Sequence, residues 1–208
     1  MKTLALICQK GGTGKTTLAI HLSVAATVDK RFTVLWDADP QGSALHWRAA
    51  RQADAPPPVL PGPPTTADIA TTAQKGAKLC IIDSPPAADF RASGIITAAD
   101  FALIPVRPSP LDVTAAASTA KIVAATGKRA AFVLTACPTH SGGNALALDA
   151  AATLTAYGLP VCPVRIYQRQ AYVSALTGGL AVSEIDQNSL ATAEIKALWK
   201  WIKKEIQA

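Results

Sequence analysis

Short apolar runs of strand length alternate along the chain with longer stretches whose apolar positions recur at helical spacing. TLALIC (3–8) leads into TTLAIHLSVAATV (16–28), and FTVLW (32–36) into SALHWRAARQ (43–52). The alternation continues with KLCIID (78–83), FALIPV (101–106), TAAASTAKIVAAT (114–126), RAAFVLT (129–135) and NALALDAAATLTAYG (144–158). A short PVCPV strand (160–164) and a final helix from about Ser189 to Ile206 complete it. Repeated strand–helix units predict an α/β fold, a mostly parallel β-sheet with helices on both faces. Ligands are then expected at the carboxyl ends of the strands.

One segment breaks the rhythm. ADAPPPVLPGPPTT (53–66) holds six prolines, which excludes helix and favours an extended surface connection, with Val59 and Leu60 adding a short strand. There is no internal repeat.

At 208 residues the chain fits a single domain spanning 1–208. Half of it is hydrophobic, yet no apolar run approaches the roughly 18 residues of a spanning helix. MKTLALICQ has too short an apolar part for a signal peptide and reads as a first strand, so a cytoplasmic protein is expected. Cys8, Cys80, Cys137 and Cys162 show no CxxC and no His at metal spacing, which argues against zinc and against a disulfide framework. The formal charge of +6 permits a polyanionic partner, DNA or an acidic membrane surface, without choosing between them.

The chemistry starts at QKGGTGKTT (9–17). Strand, glycine loop and helix follow one another without a gap, the context a phosphate loop requires. Gly11, Gly12 and Gly14 let the backbone amides of the loop, Thr13 included, turn toward an anion, and the helix starting near Lys15 adds its positive end. Lys15 would reach the β and γ phosphates, Thr16 would ligate Mg²⁺, and Thr17 continues the loop into the helix. The usual GxxxxGK pattern would require glycine at position 9, where this chain has Gln9. What stands there is KGGTGKT, with a second lysine, Lys10.

In that motif the chain resembles the deviant Walker A ATPases, the family of ParA and MinD, with a P-loop NTPase fold. LWDADPQGSA (35–44) looks like the family's DxDPQ element and KLCIIDSPP (78–86) like its Walker B element. The resemblance implies ATP and Mg²⁺ as cofactors, with Asp37 and Asp83 in the outer shell of the metal and Asp39 orienting the attacking water. It implies that Lys10 crosses a homodimer interface to the opposite nucleotide, so that ATP holds the dimer together and slow, partner-stimulated hydrolysis releases it.

Neither Asn144 nor Asn188 belongs to a guanine-reading NKxD element, which favours adenine. IPVRPSPLD (104–112) is similar to the proline-rich stretch of small ParF-like ParA proteins, and this places Pro108, Ser109, Pro110 and Asp112 near adenine and the dimer interface. That stretch and YQRQAYV (167–173) tilt the resemblance toward the ParF-like branch. It implies plasmid or similar partition through a ParB- or ParG-like adaptor, and nucleoid association when ATP is bound. A loop at residue 9 leaves no room for an N-terminal helix-turn-helix domain, so DNA binding is expected to be non-specific and salt-sensitive. The cations available for it are Lys128, Arg129, Arg165, Arg169, Lys196, Lys200, Lys203 and Lys204.

Two alternatives remain open on the residues. EIKALWKWIKKEIQA (194–208) puts Ile195, Leu198, Trp199, Ile202 and Ile206 on one helix face and lysines on another, the pattern of a MinD-like membrane anchor and equally of a terminal helix packed on the sheet. A reductase like the nitrogenase iron protein would need cysteines at loop positions. Cys8 and Cys80 fall in strands, and Cys137 has no partner at ligand spacing.

Overall fold

A computed structural model describes residues 1–52, 55–86, 90–140 and 142–207. The start of the proline-rich connection, 53–54, lies outside the described residues. Among the described residues seven parallel strands are β1 Lys2–Leu6, β2 Thr33–Asp37, β3 Val59–Pro61, β4 Leu79–Asp83, β5 Phe101–Val106, β6 Ala130–Cys137 and β7 Val161–Tyr167, paired in the order β3-β2-β4-β1-β5-β6-β7. The connecting helices are α1 Lys15–Val28, α2 Ser43–Ala49, α3 Thr66–Gln74, α4 Phe90–Ala98, α5 Pro110–Thr126, α6 Gly143–Thr155, α7 Gln170–Thr177, α8 Val182–Ile185 and α9 Leu190–Gln207.

Both faces of the sheet are covered, and the period of two along each strand divides the apolar residues between two cores. Leu4, Leu6, Leu79, Ile81, Phe101 and Leu103 face α1 and α9. Ala5, Ile7, Cys80, Ile82, Ala102 and Ile104 face α4, α5 and α6. Val59 and Leu60 do form the short strand β3, on the edge of the sheet beside β2.

The final helix is settled by its contacts. Ile195, Leu198, Trp199, Ile202 and Ile206 are all buried in the first core. Trp199 Nε1 donates to Asp29 Oδ2 at 3.1 Å, and Lys203 Nζ lies 2.8 Å from the same carboxylate at the end of α1. The apolar face of α9 is therefore used in packing and is not presented to a lipid surface. Among the described residues no helix is long and apolar enough to cross a membrane.

Strand order places the site. β1 lies between β4 and β5, so the chain leaves its carboxyl end toward one side while the next crossover returns on the other. This is a topological switch point, where the ends of neighbouring strands open a crevice. Asp37 and Asp83 are register partners on β2 and β4, and Leu6 of β1 is level with Asp83.

Candidate nucleotide site

The loop after β1 turns through left-handed backbone at Gly12 (φ 71°) and Gly14 (φ 93°), a conformation that L side chains rarely adopt. Gly14 precedes α1, and its carbonyl accepts from Leu18 N at 2.9 Å. Lys15 is buried, and its Nζ lies 3.4 Å from Lys10 O across the loop. Two side chains brace the outside of this turn. Thr135 Oγ1 donates to Thr13 O at 2.8 Å, and Arg107 Nε donates to Gly12 O at 2.7 Å. A Cβ on Gly12 would displace the tip of the Arg107 guanidinium.

The three aspartates separate into different roles. Asp37 is buried and committed to backbone: Oδ2 accepts from Ala44 N and Leu45 N, both at 2.9 Å, and Oδ1 accepts from Asp39 N at 3.2 Å. It caps the amino end of α2 and fixes the loop that carries Asp39. Asp39 is half-buried, with Oδ1 accepting from Gln41 N at 2.9 Å. Asp83 is 0% exposed, and neither of its oxygens has a hydrogen-bond partner among the described residues. Burial pushes its carboxyl up to about 7, with Asp37 and Asp39 adding to the shift while the Thr16 hydroxyl and the Lys15 charge pull against it. A buried carboxylate with two unpartnered oxygens beside a threonine hydroxyl is a costly arrangement for a fold alone. It suits a hard divalent cation, which takes oxygen ligands and supplies the missing positive charge.

Beside the loop lies a cleft of about 190 Å³ lined by Gly12, Thr13, Gly14, Thr17, Thr135, Ala136 and the turn Tyr167–Arg169 with Tyr172. The proline-rich stretch does not reach it. Pro108, Ser109 and Pro110 instead line a separate hollow between α5 and α6, with Leu146 and Asp149. The Ser109 side chain accepts from Asp112 N at 3.2 Å, which starts α5 and turns the segment away from the cleft. Asp112 alone of that group faces the phosphate loop, with Oδ1 at 3.1 Å from Lys10 Nζ. Thr135 was not singled out in the sequence, and Arg107 and the 167–172 turn, which fall in the stretches IPVRPSPLD and YQRQAYV, were not assigned to the nucleotide site there.

Six of the eight cations named for DNA are engaged within the fold. Lys128 Nζ donates to Ala99 O, Arg129 pairs with Glu205, Arg165 with the Asn144 side chain, Arg169 with Glu194, Lys196 with Gln187 O and Lys203 with Asp29. Lys200 and Lys204 lie on the exposed face of α9. The four cysteines are free and buried.

A family model described as the CobQ/CobB/MinD/ParA nucleotide binding domain matches residues 4–182. The chain belongs to this family. It is 32% identical over 201 residues to the maintenance of carboxysome distribution protein A of Halothiobacillus neapolitanus, covering 92% of this chain and 91% of that one. The fold is also that of solved family members. Apo McdA of Cyanothece aligns with a TM-score of 0.77 at 20% identity over 99% of each chain. MinD in the MinC:MinD complex of Aquifex aeolicus aligns with a TM-score of 0.82 at 15% identity, over 98% of this chain and 96% of that one. The phosphate loop, Asp83 and the cleft thus stand in a ParA/MinD-type nucleotide-binding domain.

Proposed function

We propose that this chain is a ParA-type ATPase that uses an ATP-dependent dimer to distribute a cargo over nucleoid DNA. The observation that carries the nucleotide half is the pairing of a glycine loop around buried Lys15 with Asp83, whose two oxygens lack partners. ATP is the nucleotide, its phosphates held by the loop amides and Lys15 and its base by the cleft beside the loop. Thr16 and Asp83 would hold Mg²⁺, which when bound neutralises charge on the phosphate oxygens. Asp37 acts through the loop it caps and Asp39 orients the attacking water. Phosphoryl transfer asks a protein mainly for positioning and positive charge, and Lys15 with Lys10 of a second copy supplies both.

The cargo half rests on likeness. A relative at 32% identity over most of both chains bears a name for carboxysome distribution. A large intracellular body is therefore as good a cargo as a plasmid, linked through an adaptor of the ParB or ParG kind that stimulates hydrolysis. DNA binding is non-specific, made by exposed lysines, and strengthened when dimerisation doubles the contacts. A MinD-like attachment through α9 is disfavoured because its apolar face is buried.

The test is a gel shift on random-sequence DNA at fixed low salt with ATP, ADP or no nucleotide, run beside an ATPase assay. Retention with ATP alone supports the switch. Equal retention in all three states, or none, sinks it.

A further inference from the structure

The wall of the cleft that lies away from the phosphate loop is held from behind by a residue of the terminal helix. Glu194, on α9, is 11% exposed. Its Oε2 accepts from Tyr167 N at 3.1 Å and from the Tyr172 hydroxyl at 2.9 Å, and its Oε1 accepts from Arg169 Nε at 2.7 Å, with the guanidinium NH2 2.6 Å away. These donors bracket the turn that leaves β7 and enters α7, and Tyr167, Arg169 and Tyr172 all line the cleft. A second tie, Gln168 N to Cys137 O at 2.9 Å, fastens the same turn to the end of β6. The Arg169 guanidinium lies 5.4 Å from the Tyr167 ring centroid, so the pair fixes that ring as well.

No other carboxylate contact of this kind holds the turn among the described residues, and without Glu194 the Tyr167 amide and the Arg169 Nε would lose their acceptor, while the Tyr172 hydroxyl would keep only Ala191 O at 3.2 Å. Stranded donors at a part-buried site cost more than the bonds themselves contribute, so the turn would move to find water. The phosphate loop has its own braces in Thr135 and Arg107 and would not follow. One side of the cleft can therefore change shape while the phosphate side stays in place.

We infer that Glu194 is a positioning residue that sets the base-binding wall, and through it nucleotide affinity and the choice between adenine and guanine. This rests on the proposal that the cleft takes the base of a nucleoside triphosphate. Glu194 touches no reacting atom, so its loss changes KM and selectivity and leaves kcat intact. The inference also gives α9 a task beyond core packing, since its apolar face fills the core while Glu194 holds the wall of the cleft.

The experiment measures binding of fluorescent ATP and GTP analogues and steady-state ATPase kinetics for the wild type, Glu194→Ala, Glu194→Gln and Tyr172→Phe, with a thermal melt of each nucleotide-free protein. Glu194→Ala should weaken ATP about tenfold or more, narrow the ATP-over-GTP ratio and leave kcat within about twofold. Glu194→Gln, which keeps one acceptor oxygen, should lie between it and the wild type, as should Tyr172→Phe, which removes one arm. If Glu194→Ala melts too low to study, the two milder variants carry the test. Unchanged ATP affinity and ratio in folded variants, or a fall in kcat with KM unmoved, overturns the inference. A wild type that binds neither nucleotide overturns the underlying nucleotide proposal with it, an outcome distinct from wild-type binding that the variants leave unaltered.

Discussion

Lys10 Nζ lies 3.1 Å from Oδ1 of Asp112 in its own chain. Burial alone would raise the Asp112 carboxyl, but the Ser109 hydroxyl and the Lys10 charge outweigh it and hold it below the usual carboxylate range. The pair is therefore intact at neutral pH and is lost only as pH falls through that lowered value. One ammonium cannot serve Asp112 and the nucleotide of a second copy at the same time. Asp112→Asn is expected to form the ATP dimer at a few-fold lower protein concentration, in keeping with a pair open to solvent on its lysine side and worth about 1 kcal/mol, and to stay monomeric with ADP. Sedimentation velocity across a dilution series measures this. A dimer that is unchanged or weaker would show that Asp112 does not compete for Lys10.

The two loop lysines should fail in different ways. Lys15 is 6% exposed and enclosed by the loop, whereas the Lys10 side chain is 38% exposed and reaches outward to Asp112. Lys15→Ala should abolish nucleotide binding. Lys10→Ala should bind ATP as a monomer with near wild-type affinity and form no ATP dimer. Calorimetry and light scattering separate the two, and a Lys10→Ala protein that still dimerises with ATP removes the cross-subunit role.

Asp39 sits on a loop whose position is set by the Asp37 cap, with one oxygen on Gln41 N. Asp39→Ala leaves that cap and the phosphate loop in place. It should bind ATP, dimerise and stall, with turnover reduced at least about a hundredfold, the scale for loss of a positioned proton-transfer group. Single-turnover assays with labelled ATP check this, and normal turnover excludes Asp39 from the hydrolytic step.

The parts of this site that were legible in the sequence are those made by consecutive residues. KGGTGKT follows a strand and opens a helix, so loop, helix and Lys15 could be placed from local order alone. Asp37 was placed beside the metal by resemblance, and its second task was hidden for a physical reason: that its oxygens accept from the amides of α2 shows only once the helix is placed to start at Ser43. The wall of the cleft away from the phosphate loop was hidden because it joins the ends of β6 and β7 to Glu194, residues far apart in the chain. The hollow that Pro108–Pro110 lines between α5 and α6 was not legible because its direction depends on the Ser109 cap of α5. For α9, a membrane anchor and a packed helix share one amphipathic pattern, and tertiary contacts alone tell them apart.

His21 supplies a measure of the fold that is independent of nucleotide. It is 1% exposed on α1, its Nδ1 accepts from Val182 N at 3.3 Å, and its ring meets Tyr172 edge-on at 5.2 Å. Its Nε2 has no partner among the described residues. Burial drives the imidazole pKa down from 6.5 to about 4, with the nearby Glu184 charge only partly opposing it. Because the unfolded chain takes up this proton first, the contribution is complete above about pH 6.5 and is lost as pH falls toward about 4, where both states are charged. At 1.36 kcal/mol per unit the loss is on the order of 3 kcal/mol. His21→Gln keeps an acceptor for Val182 N and does not titrate. Urea unfolding from pH 7 to 4.5 should therefore show wild-type stability falling more steeply than that of the variant, with the carboxylates common to both cancelling in the difference. Parallel curves would mean that His21 is solvated or already charged in the folded protein.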